Sequence, residues 1–165
     1  MSKLDELDVR IVELLAEDPR VSAVDAAASL GVARATYQSR LDRLTSSGAI
    51  SLVPSVLPES AGYAVTAFIS AEIRQSSREH GVIDHLISIP EVIEAHTVTG
   101  GSDLLIRVVA TSNQHLQKVL DAIARHDDVL HTSTSIALAN QISARTVQLA
   151  RLGLAGGSAV TTGDE

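Results

Sequence analysis

The sequence predicts an α+β protein of two parts: an N-terminal winged helix-turn-helix followed by a ferredoxin-like βαββαβ unit. Three observations carry this. Residues 4–46 hold three helical patterns in succession, broken at Asp18-Pro19 and at Leu30-Gly31. From Ala64 onward, alternating strand-like runs interleave with two helical stripes in the order βαββαβ. The stretches "IPEVIEAHTVT" and "HDDVLHTSTSI" also echo each other at an offset of 37 positions (129 − 92), as two half-units would.

The first helix follows from Leu4, Leu7, Ile11, Leu14 and Leu15 on one face, with Asp5, Asp8, Glu13 and Glu17 opposite. Its acids cluster early, where the helix dipole favours them. Pro19 ends it. Ser22 is placed to cap a short second helix, which closes at Gly31. A third helix spans about Ala33 to Ser46, buries Tyr37, Leu41 and Leu44, and stops at Gly48. Ile50 to Val53 reads as a short wing strand, and Pro54 and Pro58 mark a linker to Gly62. The second part runs through "AVTAFISAEIR" (strand), "SREHGVIDHLISI" (helix), "EVIEAHTVTG" and "SDLLIRVVAT" (strands about Gly-Gly), "NQHLQKVLDAIARH" (helix) and "DVLHTSTSIAL" (strand). Residues 140–152 read as a C-terminal helix, and "AGGSAVTTGDE" as a disordered tail. The expected organisation is a winged helix-turn-helix unit over 1–53, a linker over 54–63, a βαββαβ unit over 64–142, and a C-terminal helix with flexible tail over 143–165.

Composition narrows the function. Of 165 residues, 45% are hydrophobic, so a real core is expected, but only 2% are aromatic. Stacking of bases on aromatic rings is therefore not a main binding mode. The absence of cysteine excludes disulfides and thiolate sites. No signal core or membrane-length apolar run is present, so the expectation is a soluble cytoplasmic protein with no membrane partner. The net charge of -7 argues against coating DNA through the whole surface, yet three arginines face one acid between Arg34 and Arg43. On the third helix, Arg34, Thr36, Gln38 and Ser39 lie off the apolar face. They are the candidates for the major groove of double-stranded DNA, where Arg reads guanine and Gln reads adenine. Arg40 and Arg43 are expected on phosphates or bracing the fold, the alternative for these arginines being ion pairs with Asp25 or Asp42. Ala33 stands where a capping Ser or Thr is usual.

The stretches "LDELDVRIVELL", "RVS" (20–22), "SRLDRL", "GAI" (48–50), "PEV" (90–92), "VTGGSDLLIRVV" and "VLHTSTSIAL", taken in order, resemble the Lrp/AsnC family of feast/famine transcription regulators. The resemblance covers about Leu4 to Ile142. It implies an effector domain of the RAM type, an amino acid or similar small effector, sheet-to-sheet homodimers and assembly toward octamers. Gly100 and Gly101, with Thr99, Asp103 and Leu104, are then the expected effector site. Their glycines free backbone N–H groups for a carboxylate, and Asp103 offers an anion for an amino group. Thr132 and Thr134 on the last strand would add hydroxyls. Read from chemistry alone, Gly-Gly followed by Asp is also an ordinary hairpin turn. Ser102 replaces the aromatic of the family's Gly-x-Tyr-Asp turn, which bears on effector choice. Leu52-Val53 replaces its usual Gly-Tyr, which bears on the geometry of DNA binding.

No catalytic residue, metal site or cofactor is expected. The six histidines lack the i, i+4 ligand spacing: His80 and His85 are five apart, as are His126 and His131. The competing function is an enzyme resembling the sirohaem decarboxylases, which share the two-domain plan and would need His and Tyr around a tetrapyrrole. The retained arginine set and only two Tyr weigh against it.

Overall fold

The computed structural model describes residues 4–74 and 79–157, which form two compact units: Met1–Pro54 with Ile142–Glu165, and Ser55–Gln141.

In the first unit, α1 (Glu6–Glu17), α2 (Ala23–Leu30) and α3 (Arg34–Ser46) make the helix-turn-helix. Local chemistry sets each end. Asp5 and Asp8 form a reciprocal capping box, the Asp5 carboxylate accepting the Asp8 N–H at 2.9 Å and the Asp8 carboxylate accepting the Asp5 N–H at 3.0 Å. Ser22 Oγ accepts the Asp25 N–H at 3.1 Å. Gly31 adopts the left-handed conformation (φ 70) that turns the chain from α2 towards α3. The core is aliphatic around one ring: Ile11, Leu15, Ala26, Ala27, Leu30 and Leu44 pack about Tyr37. Arg10 Nη2 donates to the Leu30 carbonyl at 3.2 Å and ties α1 to the end of α2.

Three expectations for this unit are corrected. Ile50 to Val53 form no strand, because all four strands of the described residues pair with one another in the second unit and leave none beside this segment. The C-terminal helix is α6 (Val147–Gly157), so it starts later than residue 140 and runs past Ala155, where the tail was expected. Residues 158–165 lie outside the described residues. Asp8 does not face solvent opposite the apolar stripe but is 1% exposed.

The second unit begins with a 3-10 turn (Pro58–Ala61) that closes on Gly62 at φ 86. Then come β1 (Val65–Ile73), α4 (Glu79–Ile87), β2 (Val92–Thr97), β3 (Leu104–Ala110), α5 (Asn113–Ala124) and β4 (Val129–Ala137). The expected start of α4, at Ser77, lies outside the described residues. The sheet is antiparallel in the order β2-β3-β1-β4, which is the βαββαβ arrangement. Alternation decides its faces. Ala67, Ile69, Ala71 and Ile73 of β1 join Leu104, Ile106 and Val108 of β3 beneath Val82, Leu86, Leu116, Val119 and Ile123 of the helices. The other face carries Phe68, Ser70 and Glu72 beside Leu105 and Arg107. The helices of this unit, α4 and α5, pack their apolar residues on the first face. Phe68 is 38% exposed there.

Candidate nucleic-acid interface and effector loop

Helix α3 divides its polar side chains in two. Arg34, Thr36, Gln38 and Ser39 are all exposed. Arg34 makes no ion pair or hydrogen bond among the described residues. Gln38 is lightly held, its Nε2 donating to Asp42 Oδ1 at 3.0 Å one turn on. Arg40 and Arg43 turn the other way, toward α1. Arg43 Nη2 donates to both Asp8 oxygens at 2.6 Å. Arg40 Nη1 donates to Asp8 Oδ1 at 3.1 Å and also pairs with Asp5. Of the two expectations for these arginines, phosphate contact or bracing, the ion pairs show bracing of α3 against α1. Their partners are Asp5 and Asp8, not Asp25 or Asp42.

The electrostatics follow from burial. Desolvation pushes the Asp8 carboxyl up, but the hydrogen bonds from Arg43, the Asp5 backbone and Arg40 outweigh it and hold it below the usual carboxylate range. The hydrogen bond from Arg40, with that from the Asp8 N–H, lowers Asp5 in the same direction. A buried carboxylate with two guanidiniums is satisfied only while α1 and α3 keep their mutual register. The network therefore fixes which face of α3 points outward. Reading from sequence missed Asp5 and Asp8. Their one trace in the sequence is a shared spacing, acids at i and i+3 opening α1 and arginines at i and i+3 on α3, which does not say that the two pairs meet.

The N-terminus of α3 is electropositive. Both α1 and α2 have a side-chain cap and an acid in the first turn. Ala33 gives α3 no side-chain cap, and its first turn holds Arg34 and no acid. Such an end leaves backbone N–H groups and a guanidinium available to a polyanion.

In the second unit, Gly100 takes φ 123 at the turn between β2 and β3. A Cβ at Gly100 would meet nothing within 4 Å, so conformation alone calls for glycine. Asp103 locks this hairpin onto β1. Its carbonyl accepts the Val98 N–H at 2.9 Å, its N–H donates to the Ala71 carbonyl at 3.0 Å, and its Oδ2 accepts the Ile73 N–H at 2.8 Å. One carboxylate oxygen is thus committed to structure, and Oδ1 makes no hydrogen bond among the described residues. Thr99, Gly100 and Gly101 are exposed at the tip. Leu104, expected with them, is 3% exposed and its side chain belongs to the core, because it pairs with Ala71 on the helix-covered face. Thr132 pairs with the far side of Ala71 and Thr134 with Ile69. The loop and Thr132 therefore share one end of the sheet, two strand spacings or about 10 Å apart.

Four histidines have structural neighbours: His85, His96, His115 and His126. His115 Nδ1 accepts the Thr111 N–H at 3.2 Å, so its Nε2 faces Glu91 Oε1 at 3.1 Å as donor. His85 lies 2.8 Å from the Ala122 carbonyl, and its ring centroid is 5.3 Å from that of His126. His96 meets Glu94 at 2.9 Å. Among the described residues no group of three or more His, Asp or Glu is gathered for a metal ion, and no helix is long and apolar enough to cross a membrane.

Comparison with known proteins assigns both units. Residues 4–45 match the AsnC-type helix-turn-helix domain, and residues 66–147 match the Lrp/AsnC ligand binding domain. The HTH-type transcriptional regulator FL11 of Pyrococcus furiosus is 30% identical over 136 residues, which are 82% of this chain and 89% of that protein. The regulatory protein AsnC of Haemophilus influenzae is 30% identical over 144 residues, 86% of this chain and 96% of that protein. Among solved structures, E. coli AsnC superposes with a TM-score of 0.81 at 29% identity, over 88% of this chain and 99% of that one.

Proposed function

The chain belongs to the Lrp/AsnC family of transcriptional regulators, and from that premise we propose how its two units divide the work. The first binds double-stranded DNA through the outward side of α3. Arg34, Thr36, Gln38 and Ser39 face the major groove. Arg40 and Arg43 act behind them by holding the helix on α1. The observation that carries this reading is the division of the arginines. Two are consumed by the Asp5 and Asp8 carboxylates, while Arg34 stands exposed at an uncapped helix end. The relatives are named as transcriptional regulators, and nothing in the site favours the decarboxylase alternative.

The second unit takes the effector. Thr99, Gly100 and Gly101 present an exposed turn of backbone to a carboxylate, and Asp103 Oδ1 is the acceptor for an amino group. Thr132 and Thr134 lie on β4, across β1 from the loop's β3, and Leu104 contributes only its backbone. An amino acid matches this pairing of anion-accepting N–H groups with one carboxylate. The uncovered sheet face, with Phe68 and Leu105, suits a second copy of the chain. Paired reading heads then offset the acidic net charge, because two modest contacts act together. The protein would work in the cytoplasm, on DNA there.

The test is a thermal-shift screen against the twenty amino acids, with size-exclusion of each hit. A stabilising amino acid that also changes assembly, and whose effect disappears in Gly100→Val, supports the reading. Hits that survive Gly100→Val place the effector elsewhere.

A further inference from the structure

Helix α6 begins where the match to the ligand binding domain ends, at residue 147, and lies past the helix-turn-helix match over 4–45. It follows β4, the strand that carries Thr132 and Thr134, through residues 138–146. It then docks within the first unit, on α1. Val147, Ala150 and Leu154 recur at helical spacing, and Arg151 stands beside them. Arg151 Nε donates to Glu13 Oε1 at 2.9 Å, and its Nη2 pairs with Glu13 Oε2. Nη1 donates to Glu6 Oε1 at 2.8 Å. One guanidinium therefore clamps two carboxylates that lie seven positions apart on one face of α1 (13 − 6). Glu6 is next to Asp5 and in the same turn as Asp8, the residues that hold Arg40 and Arg43 of α3.

The docking is shallow. Ala150 and Leu154 are half-buried, while Leu149 and Leu152 are 57% and 63% exposed. A groove of about 590 Å³ stays open between α6, α1 and the Ala49–Leu52 segment, lined by Val12, Leu15, Ile50 and Val147. The helix itself is short and contains Gly153, so it depends on its docking to remain folded. The ion pairs that fasten it are solvent-exposed and weaken with salt. Such a helix lies close to the balance between attached and released.

We propose that α6 is a detachable strap, and that Arg151 is a positioning residue for DNA reading. Docked, it steadies the first turn of α1 and so holds α3 in register. Released, it loosens both. Because the strap is joined to β4 through residues 138–146, it is also a covalent route from the effector unit to the reading head. The inference rests on the proposed role of α3 in DNA binding.

The experiment compares wild type, Arg151→Glu and the charge-swapped pair Glu13→Arg with Arg151→Glu. Amide hydrogen exchange is followed by mass spectrometry, and binding is measured to the duplex that wild type enriches from a randomised DNA library. Arg151→Glu should strip protection from α6, speed exchange at Asp5–Asp8 and Arg40–Leu44, and weaken duplex binding by about tenfold, the usual size of a coupling between sites. The charge swap should recover most of each effect, which a merely damaged fold would not do. The proposal is overturned if α6 stays protected in Arg151→Glu. It is equally overturned if α6 is released while α3 exchange and duplex affinity stay as in wild type. A wild-type protein that enriches no duplex defeats the DNA reading itself. The exchange comparison then still decides whether α6 holds α3.

Discussion

The two units are held together by different physics. The effector unit rests on a continuous aliphatic layer of fourteen buried residues between sheet and helices, with Ile69, Ile106, Val108 and Ile123 at most 1% exposed. Among the described residues the DNA-binding unit has half as many, Tyr37 and six aliphatic residues around it, and adds a carboxylate–guanidinium network from α1 to α3. An apolar layer is non-directional and tolerates small shifts. A buried ion-pair network is directional and satisfied in one arrangement. The effector unit therefore gains stability from its core. The reading unit spends part of its smaller interior on specifying how α3 is turned.

The largest effect belongs to the effector core. Ile106→Ala should cost about 4 kcal/mol and leave the helix-turn-helix folded. Chemical denaturation followed at the Tyr37 and Tyr63 ring signals separates the units, since each holds one of the chain's two tyrosines. Simultaneous loss of both signals would mean the units do not unfold independently.

Asp8→Ala comes next. It should cost about 3 kcal/mol, the low end for breaking a buried pair, because Arg40 and Arg43 keep 33% and 41% of their side chains in water. The same network predicts acid behaviour. The pKa values of Asp5 and Asp8 are lowered in the folded protein, so the native state holds these protons more weakly than the unfolded chain. Their stabilisation is complete above the ordinary carboxylate range and is lost as pH falls through the lowered native values. In an acid titration the Tyr37 signal should collapse first in wild type, and that acid sensitivity should largely vanish in Asp8→Ala. An unchanged acid midpoint in Asp8→Ala would remove the network from the account.

The smallest effect is at the uncapped end of α3. Ala33→Ser should add about 1 kcal/mol to the first unit, read as a rise in its melting temperature. No change would mean that another group already satisfies those N–H groups.

The contrast between the units also explains what was legible in the sequence. Strand alternation and helical stripes are local patterns, so β1 to β4, α4 and α5 emerged in their correct order. Ser22 and Gly31 likewise announced the ends of α2 through turn chemistry that needs no tertiary partner. Asp8 did not, because an acid among acids looks solvated until Arg43 arrives from 35 positions away. The burial of the Leu104 side chain was hidden for the same kind of reason: its neighbours in sequence are a turn, but its partner in space is Ala71. The Ile50–Val53 wing failed because extended character makes a strand only beside another strand. The docking of Arg151 on Glu6 and Glu13 spans most of the chain and left no local trace.

The central claim is that α3 carries two kinds of arginine, and one paired measurement tests it. Melting temperature and affinity for the library-enriched duplex are determined for Arg34→Ala and Arg43→Ala. Arg34→Ala should lose duplex affinity by about tenfold or more at an unchanged melting temperature, as expected for a lost base or phosphate contact. Arg43→Ala should lower the melting temperature of the first unit, and any loss of binding should come with that loss of stability. Arg34→Ala with full affinity, or Arg43→Ala with full stability and lost affinity, would contradict the division of roles.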